Sequence, residues 1–204
     1  MDYIDLTLSD AQAYADYSAI INDLDSAMKW AKQLLKDLES TPPELTTRAV
    51  LEIAILIKYS RAFSGGLRRS LGEVELQAFT ATQLAAHKYL KACRDMHIAH
   101  PINAFEETYA RVIFEGGKVV GVGFAGAAKL IRKDDLRNII ELSQVLIDIV
   151  QRYIDREHAI LLQKLAAMSV KDIRAGGHAP GKWPVGEREQ IVSMRRRSTS
   201  KQRP

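Results

Sequence analysis

The chain has 204 residues, one cysteine (Cys93) and a formal net charge of +4. A lone thiol excludes an intramolecular disulfide and any zinc site built on several thiolates, and the length suits one domain with a sizeable apolar core. The acidic start, Met1-Asp2-Tyr3-Ile4-Asp5, lacks the apolar run of a secretory signal. The densest apolar patch, residues 49–57, is too short to span a bilayer and contains Glu52. The expectation is a soluble, cytoplasmic protein with no membrane partner.

The charge is unevenly distributed. Residues 170–204 hold 9 Lys/Arg and 3 Asp/Glu, which leaves 20 Lys/Arg against 22 Asp/Glu in the body. The basic character belongs to a tail and not to the fold.

In chain order, Ser9 and Gln12 have capping-box spacing, so a helix begins near residue 10. Its apolar positions step by threes and fours through Tyr14, Tyr17, Ile21, Leu24, Met28, Ala31, Leu35 and Leu38. Such a stripe packs against another long helix, in the core of the same chain or across a dimer seam. Thr41 suits the N-cap of a second helix, with Pro42 at its first position and Glu44 as reciprocal cap. That helix, residues 48–63, is apolar almost all round, as expected of a central member of a bundle. Its far end turns cationic and aromatic in Lys58-Tyr59-Ser60-Arg61-Ala62-Phe63-Ser64, before Gly65-Gly66 and Arg68-Arg69. Lysine and arginine there complement the helix dipole; alternatively Arg61, Arg68 and Arg69 form a phosphate-contacting rim.

After Gly72 a third helix is expected to run through Val74, Phe79, Leu84, Tyr89 and Cys93 to Met96. Pro101 ends it, because proline lacks an N–H and disfavours helical geometry at His100. The period then changes to alternation. Residues 108–124, with Glu115-Gly116-Gly117-Lys118 as the turn, read as a β-hairpin. Within it, Gly121-Val122-Gly123-Phe124-Ala125-Gly126 spells G-x-G-x-x-G. No second parallel strand follows, so these glycines belong to hairpin and loop and not to a dinucleotide site. Asp134-Asp135 open a last long helix, to about Ala167, with the stripe Ile139, Leu142, Leu146, Ile149 and Tyr153; the first helix is its natural partner. From Val170 onward glycine, proline and the run Arg195-Arg196-Arg197 read as a flexible or loosely docked basic arm, with Trp183 as a possible anchor.

Chemistry concentrates in Arg94-Asp95-Met96-His97-Ile98-Ala99-His100-Pro101. A guanidinium holds a phosphate through a fork of hydrogen bonds, and a histidine at a helix terminus titrates near neutrality, where it can take or give the proton of a ribose hydroxyl. One histidine does not readily do both, so two helix ends meeting across a two-fold axis would complete the set. Taken alone, an Arg…His pair is more often incidental. His97 and His100 lack a third ligand of convincing spacing, so neither a metal nor another cofactor is expected.

Arg94-Asp95 followed by His100, with five residues between Arg and His, resembles the R-x(4–6)-H hallmark of the HEPN superfamily (higher eukaryotes and prokaryotes nucleotide-binding). The wording Arg-Asp-Met-His-Ile-Ala-His is similar to runs in its abortive-infection-like branches, as is Tyr59-Ser60-Arg61-Ala62-Phe63-Ser64. The resemblance implies a mainly α fold, a HEPN-like bundle of four to five helices over residues 1–169; the inserted β-hairpin lies outside that pattern, and it and the basic C-terminal tail over 170–204 are read from the residues themselves. It also implies a homodimeric, metal-independent endoribonuclease that acts on RNA and leaves 2′,3′-cyclic phosphate ends, in the role of a toxin or phage-defence effector with an antitoxin protein as partner. Catalytic roles then fall to Arg94, Asp95 and His100, and RNA guidance to Arg61, Arg68, Arg69 and His97. The alternative is a non-catalytic helical module that binds nucleic acid or a protein. No tyrosine stands two positions after His100, so nucleotidylation there, known in some relatives, is not implied.

Overall fold

The computed structural model describes residues 5–6, 9–65, 68–98, 106–128 and 131–178. The fold is mainly α. In order it comprises β1 (Asp5–Leu6), α1 (Ser9–Glu39), α2 (Leu45–Arg61), α3 (Glu73–Leu76), α4 (Ala81–Ile98), β2 (Glu106–Glu115), β3 (Lys118–Ala128), α5 (Lys133–Ala166), α6 (Val170–Ala175) and β4 (Gly177–His178). The chain divides into two compact units. One comprises Met1–Ala19, Gly65–Ser70 and Val150–Pro204; the other comprises Ile20–Ser64 and Leu71–Ile149.

In the larger unit four helices close a ring of contacts. Asp23 of α1 meets Lys58 of α2 at 2.8 Å, and Tyr59 of α2 meets His87 of α4 at 2.9 Å. Gln83 of α4 reaches Glu141 of α5 at 2.6 Å, and Arg137 of α5 returns to Glu39 of α1 at 3.6 Å. The space between is filled by fully buried side chains, among them Leu24, Leu34, Leu56, Leu90, Ile139 and Leu146. Burying each contributes roughly 1.5–3 kcal/mol, so this apolar layer dominates the stability of the bundle.

The middle of the expected stripe on α1 is buried at Leu24, Met28 and Ala31, but toward both ends the inward face runs one residue earlier: Ala13, Asp16, Ile20 and Leu34 are buried, whereas Tyr14, Tyr17, Ile21 and Leu35 are only half-buried. Ala27 and Ala31 are wholly buried, and side chains that small let neighbouring helices approach closely. The half-buried tyrosines still have a use. In the smaller unit Tyr17 packs on Tyr153, with ring centroids 5.2 Å apart, and Tyr14 on His158 at 5.8 Å. One residue number falls as the other rises, so α1 and α5 pair antiparallel, as expected of two long helices.

Three expectations need correction. Thr41 does not cap α2, which begins at Leu45 after an extended Glu44 with no side-chain cap. Nor is α2 buried all round: Glu52, Ile55, Leu56 and Tyr59 face inward, while Val50 is 61% exposed. The third helix is two pieces. The single-turn α3 ends at Leu76, and α4 restarts after Thr80, whose hydroxyl accepts from the Gln83 N–H at 3.2 Å while Gln83 Oε1 accepts from the Thr80 N–H at 2.9 Å. That reciprocal box satisfies two N–H groups at once, and it sets the start of the helix that carries Arg94.

The hairpin forms as expected and runs further, pairing Glu106 with Ala128 at its open end. Gly116 and Gly117 have φ of +56° and +79°, the two positive values of a type I′ turn, where any other side chain would be strained. The Gly121–Gly126 run lies inside antiparallel β3, and Gly121 and Gly123 lie beneath Ile113. The run is paired within an antiparallel ribbon and α5 opens only at Lys133, so these glycines do not form the strand-to-helix turn of a dinucleotide fingerprint.

The first residues of the expected arm are structured. Ser169 Oγ accepts from the Asp172 N–H at 3.1 Å to cap α6, and β4 pairs antiparallel with β1. Trp183 and the arginine run lie outside the described residues. Among the described residues no helix is long and apolar enough to cross a membrane.

Candidate functional site

The site is built along α4. Capped at Thr80, this helix presents Leu84, His87, Lys88, Lys91 and then Arg94 and Asp95 at spacings of three and four, which places them on one side. Arg94 Nη1 donates to Asp95 Oδ1 at 2.8 Å, with the two side chains 39% and 49% exposed. A guanidinium so placed is oriented by its neighbour yet open to solvent on its other edge, as a phosphate clamp requires. The coulombic gain of such an exposed pair is small, so the contact fixes direction more than it adds stability.

The backbone is helical through His97 to Ile98. The side chain of His97 and the whole of Ala99, His100 and Pro101 lie outside the described residues, so the third member of the expected triad has no described position.

The expected RNA-guiding arginines are engaged within the protein. Arg61 Nε lies 3.3 Å from Asp23 Oδ2, the other oxygen of the carboxylate that Lys58 holds at 2.8 Å. Asp23 is almost fully buried, so these two cations offset the cost of burying its charge. Arg69 docks through its backbone: its N–H donates to Asp16 Oδ2 at 2.9 Å, and its guanidinium lies 5.7 Å from the centre of the Tyr17 ring. Arg68 is half-buried. Arg61 belongs to the larger unit with Arg94, whereas Arg68 and Arg69 belong to the smaller.

One turn behind Lys91 lies a cluster that sequence reasoning missed. His87 is buried, its Nδ1 2.9 Å from the Tyr59 hydroxyl and its ring centroid 4.5 Å from that of Phe63. Burial, reinforced by Lys91 and Lys88, pushes the His87 imidazole down to about 4, so it is neutral at physiological pH. Burial likewise pushes the Tyr59 phenol far above its usual range. Beside them opens a cavity of about 290 Å³ whose lining includes Phe63, Leu76, Leu84, Lys88, Lys91 and Glu73. The one available signal was the placement of Tyr59, Phe63 and His87 on adjoining apolar faces, which only the packing of α2 against α4 turns into a cluster.

Among the described residues no group of three His, Cys, Asp or Glu side chains is placed to hold a metal ion. No family model matches the chain, and no curated protein or solved structure matches it either.

Proposed function

We propose that this chain is an endoribonuclease of HEPN type that acts as a homodimer without a metal, in the role of a toxin or phage-defence effector. The observation that carries the reading is the Arg94–Asp95 pair at 2.8 Å on a helix ending at Ile98, two residues before His100. In this reading His100 takes the proton of the ribose 2′-hydroxyl as that oxygen attacks the adjacent phosphorus. The P–O5′ bond breaks, the 5′-oxygen leaves with a proton from the second histidine of the dimer, and a 2′,3′-cyclic phosphate remains. Arg94 follows the charge building on the non-bridging oxygens. Asp95 orients Arg94, and Lys88 and Lys91 on the same side of α4 draw the backbone in.

The test is incubation of the full chain with labelled RNA and EDTA, followed by analysis of product ends. Cleavage with cyclic phosphate termini is expected, lost in Arg94→Ala and in His100→Ala while fold and dimer persist. Full activity in both variants would falsify the assignment.

A second reading, a non-catalytic module for RNA or a protein such as an antitoxin, is favoured by the exposed apolar face of the β2–β3 hairpin, with Val122 72% exposed. In its nucleic-acid form, which draws on the Lys/Arg-rich residues 170–204 and not on the hairpin, it predicts RNA binding with a steep salt dependence and no cleavage.

A further inference from the structure

The β2–β3 hairpin exposes an apolar surface that ordinary folding buries. Val112 pairs directly with Val122 and Phe114 with Val119, while Val120 is the extra residue at the register shift beside Phe114. Pairing and alternation put Val112, Phe114 and Val122 on one face, and the bulge adds Val119 and Val120 opposite Phe114. These five side chains are 47%, 65%, 62%, 55% and 72% exposed, taking Val112, Phe114, Val119, Val120 and Val122 in turn. The exposed fractions leave this face in contact with solvent. An isolated two-stranded ribbon is marginal in water, and a contiguous apolar patch of this kind marks an interaction surface.

We infer that this face is the contact between two copies of the chain, packed against each other about a two-fold axis. Two properties favour a second copy as occupant. From Ala110 to Val122 the face carries no charge: Glu115 and Lys118, which close the turn, project from the opposite side, so identical patches meet without like-charge repulsion. The area is also sufficient. Taking on the order of 150–200 Å² for a free side chain of this size, the exposed fractions amount to roughly 500 Å² per chain. Across a two-fold that is about 1,000 Å², the threshold of a specific interface, supplied by the uncharged patch alone. The inference stands on the hairpin and does not require the ribonuclease reading.

The test is sedimentation velocity on the full chain over a range of concentrations. A dimer is expected, with self-association weakened at least about tenfold in Phe114→Lys and in Val122→Lys and unchanged in Lys118→Glu. A wild-type chain that stays monomeric, including one that needs a different partner on this face, overturns the inference. So does a dimer that both lysine variants leave intact. Hydrogen exchange of the wild type covers the case in which a variant fails to fold. Protection of residues 110–122 that rises with protein concentration supports the contact, and concentration-independent exchange overturns it. RNA cleavage is scored separately: a hairpin-dependent dimer without nuclease activity sinks only the ribonuclease reading, and a cleaving dimer that both lysine variants leave intact sinks only this one.

Discussion

The hydroxyl of Tyr59 lies 2.9 Å from Nδ1 of His87, joining α2 to α4 through one buried hydrogen bond inside an aromatic cluster. Phe63 and Phe79 close over the same imidazole, with ring centroids 4.5 and 6.0 Å away. The cluster lies behind the helix face that carries Lys88, Lys91 and Arg94, and so sets how that face is presented.

The first prediction concerns pH. His87 titrates at about 4 in the folded chain, against 6.5 for the free side chain. Between those values the unfolded chain binds the proton more readily, so the stability from a neutral His87 is complete above about pH 6.5 and is lost as pH falls toward 4. The full difference is up to about 3 kcal/mol. Thermal melts from pH 7 to pH 4.5 should show a decline that is much reduced in His87→Gln; parallel profiles would refute it.

A second prediction concerns Glu52. Its carboxylate accepts from Arg48 Nε at 2.7 Å and from the Ile131 N–H at 2.9 Å, while Arg48 Nη2 donates to the Ile131 carbonyl at 3.0 Å. This closed circuit ties α2 to the chain just before α5. Glu52→Ala leaves a buried N–H and a half-buried guanidinium without their acceptor and should cost about 3 kcal/mol in denaturant unfolding. A loss below about 1 kcal/mol would show that water replaces the carboxylate.

The third compares Asp23 with Arg61. Asp23→Ala removes the buried carboxylate shared by Lys58 and Arg61 and opens a buried site, for about 2 kcal/mol or more. Arg61→Ala leaves Lys58 on the carboxylate at 2.8 Å and should cost under about 1 kcal/mol. Equal losses in the two variants would mean that Arg61, not Lys58, is the principal counter-ion.

The fourth separates orientation from charge at Arg94. Asp95→Asn removes a negative charge beside the phosphate path and weakens the 2.8 Å contact that aims the guanidinium. In the proposed ribonuclease kcat should fall about tenfold while RNA binds at least as tightly. A rise in KM with unchanged kcat would assign Asp95 to binding instead.

Local patterns in the sequence were enough for the elements that depend on nearest neighbours. The long α1 and α5 follow from uninterrupted helical periodicity, and the hairpin from alternation on either side of Gly116-Gly117, whose positive φ values few other residues tolerate. The break at Thr80 was also written locally, as Thr-x-x-Gln, but the apolar run through Phe79 and Leu84 concealed it. The two-residue strands β1 and β4 are too short for alternation to register.

The sequence by itself determined that the chain is mainly helical, that a glycine turn folds residues 108–124 back on themselves, and that Arg94 and Asp95 share the last part of one helix. Only tertiary structure decided which line of α1 faces inward, because each residue turns a helix by about 100° and neighbouring stripes look alike in a heptad pattern. It alone decided that Asp16, Asp23 and Glu52 are buried, since their partners Arg69, Lys58 and Ile131 lie 53, 35 and 79 residues away. It alone left the valines of the hairpin in water. Alternation predicts that a strand has an apolar face, but whether that face meets a helix, another chain or solvent depends on the placement of every other element.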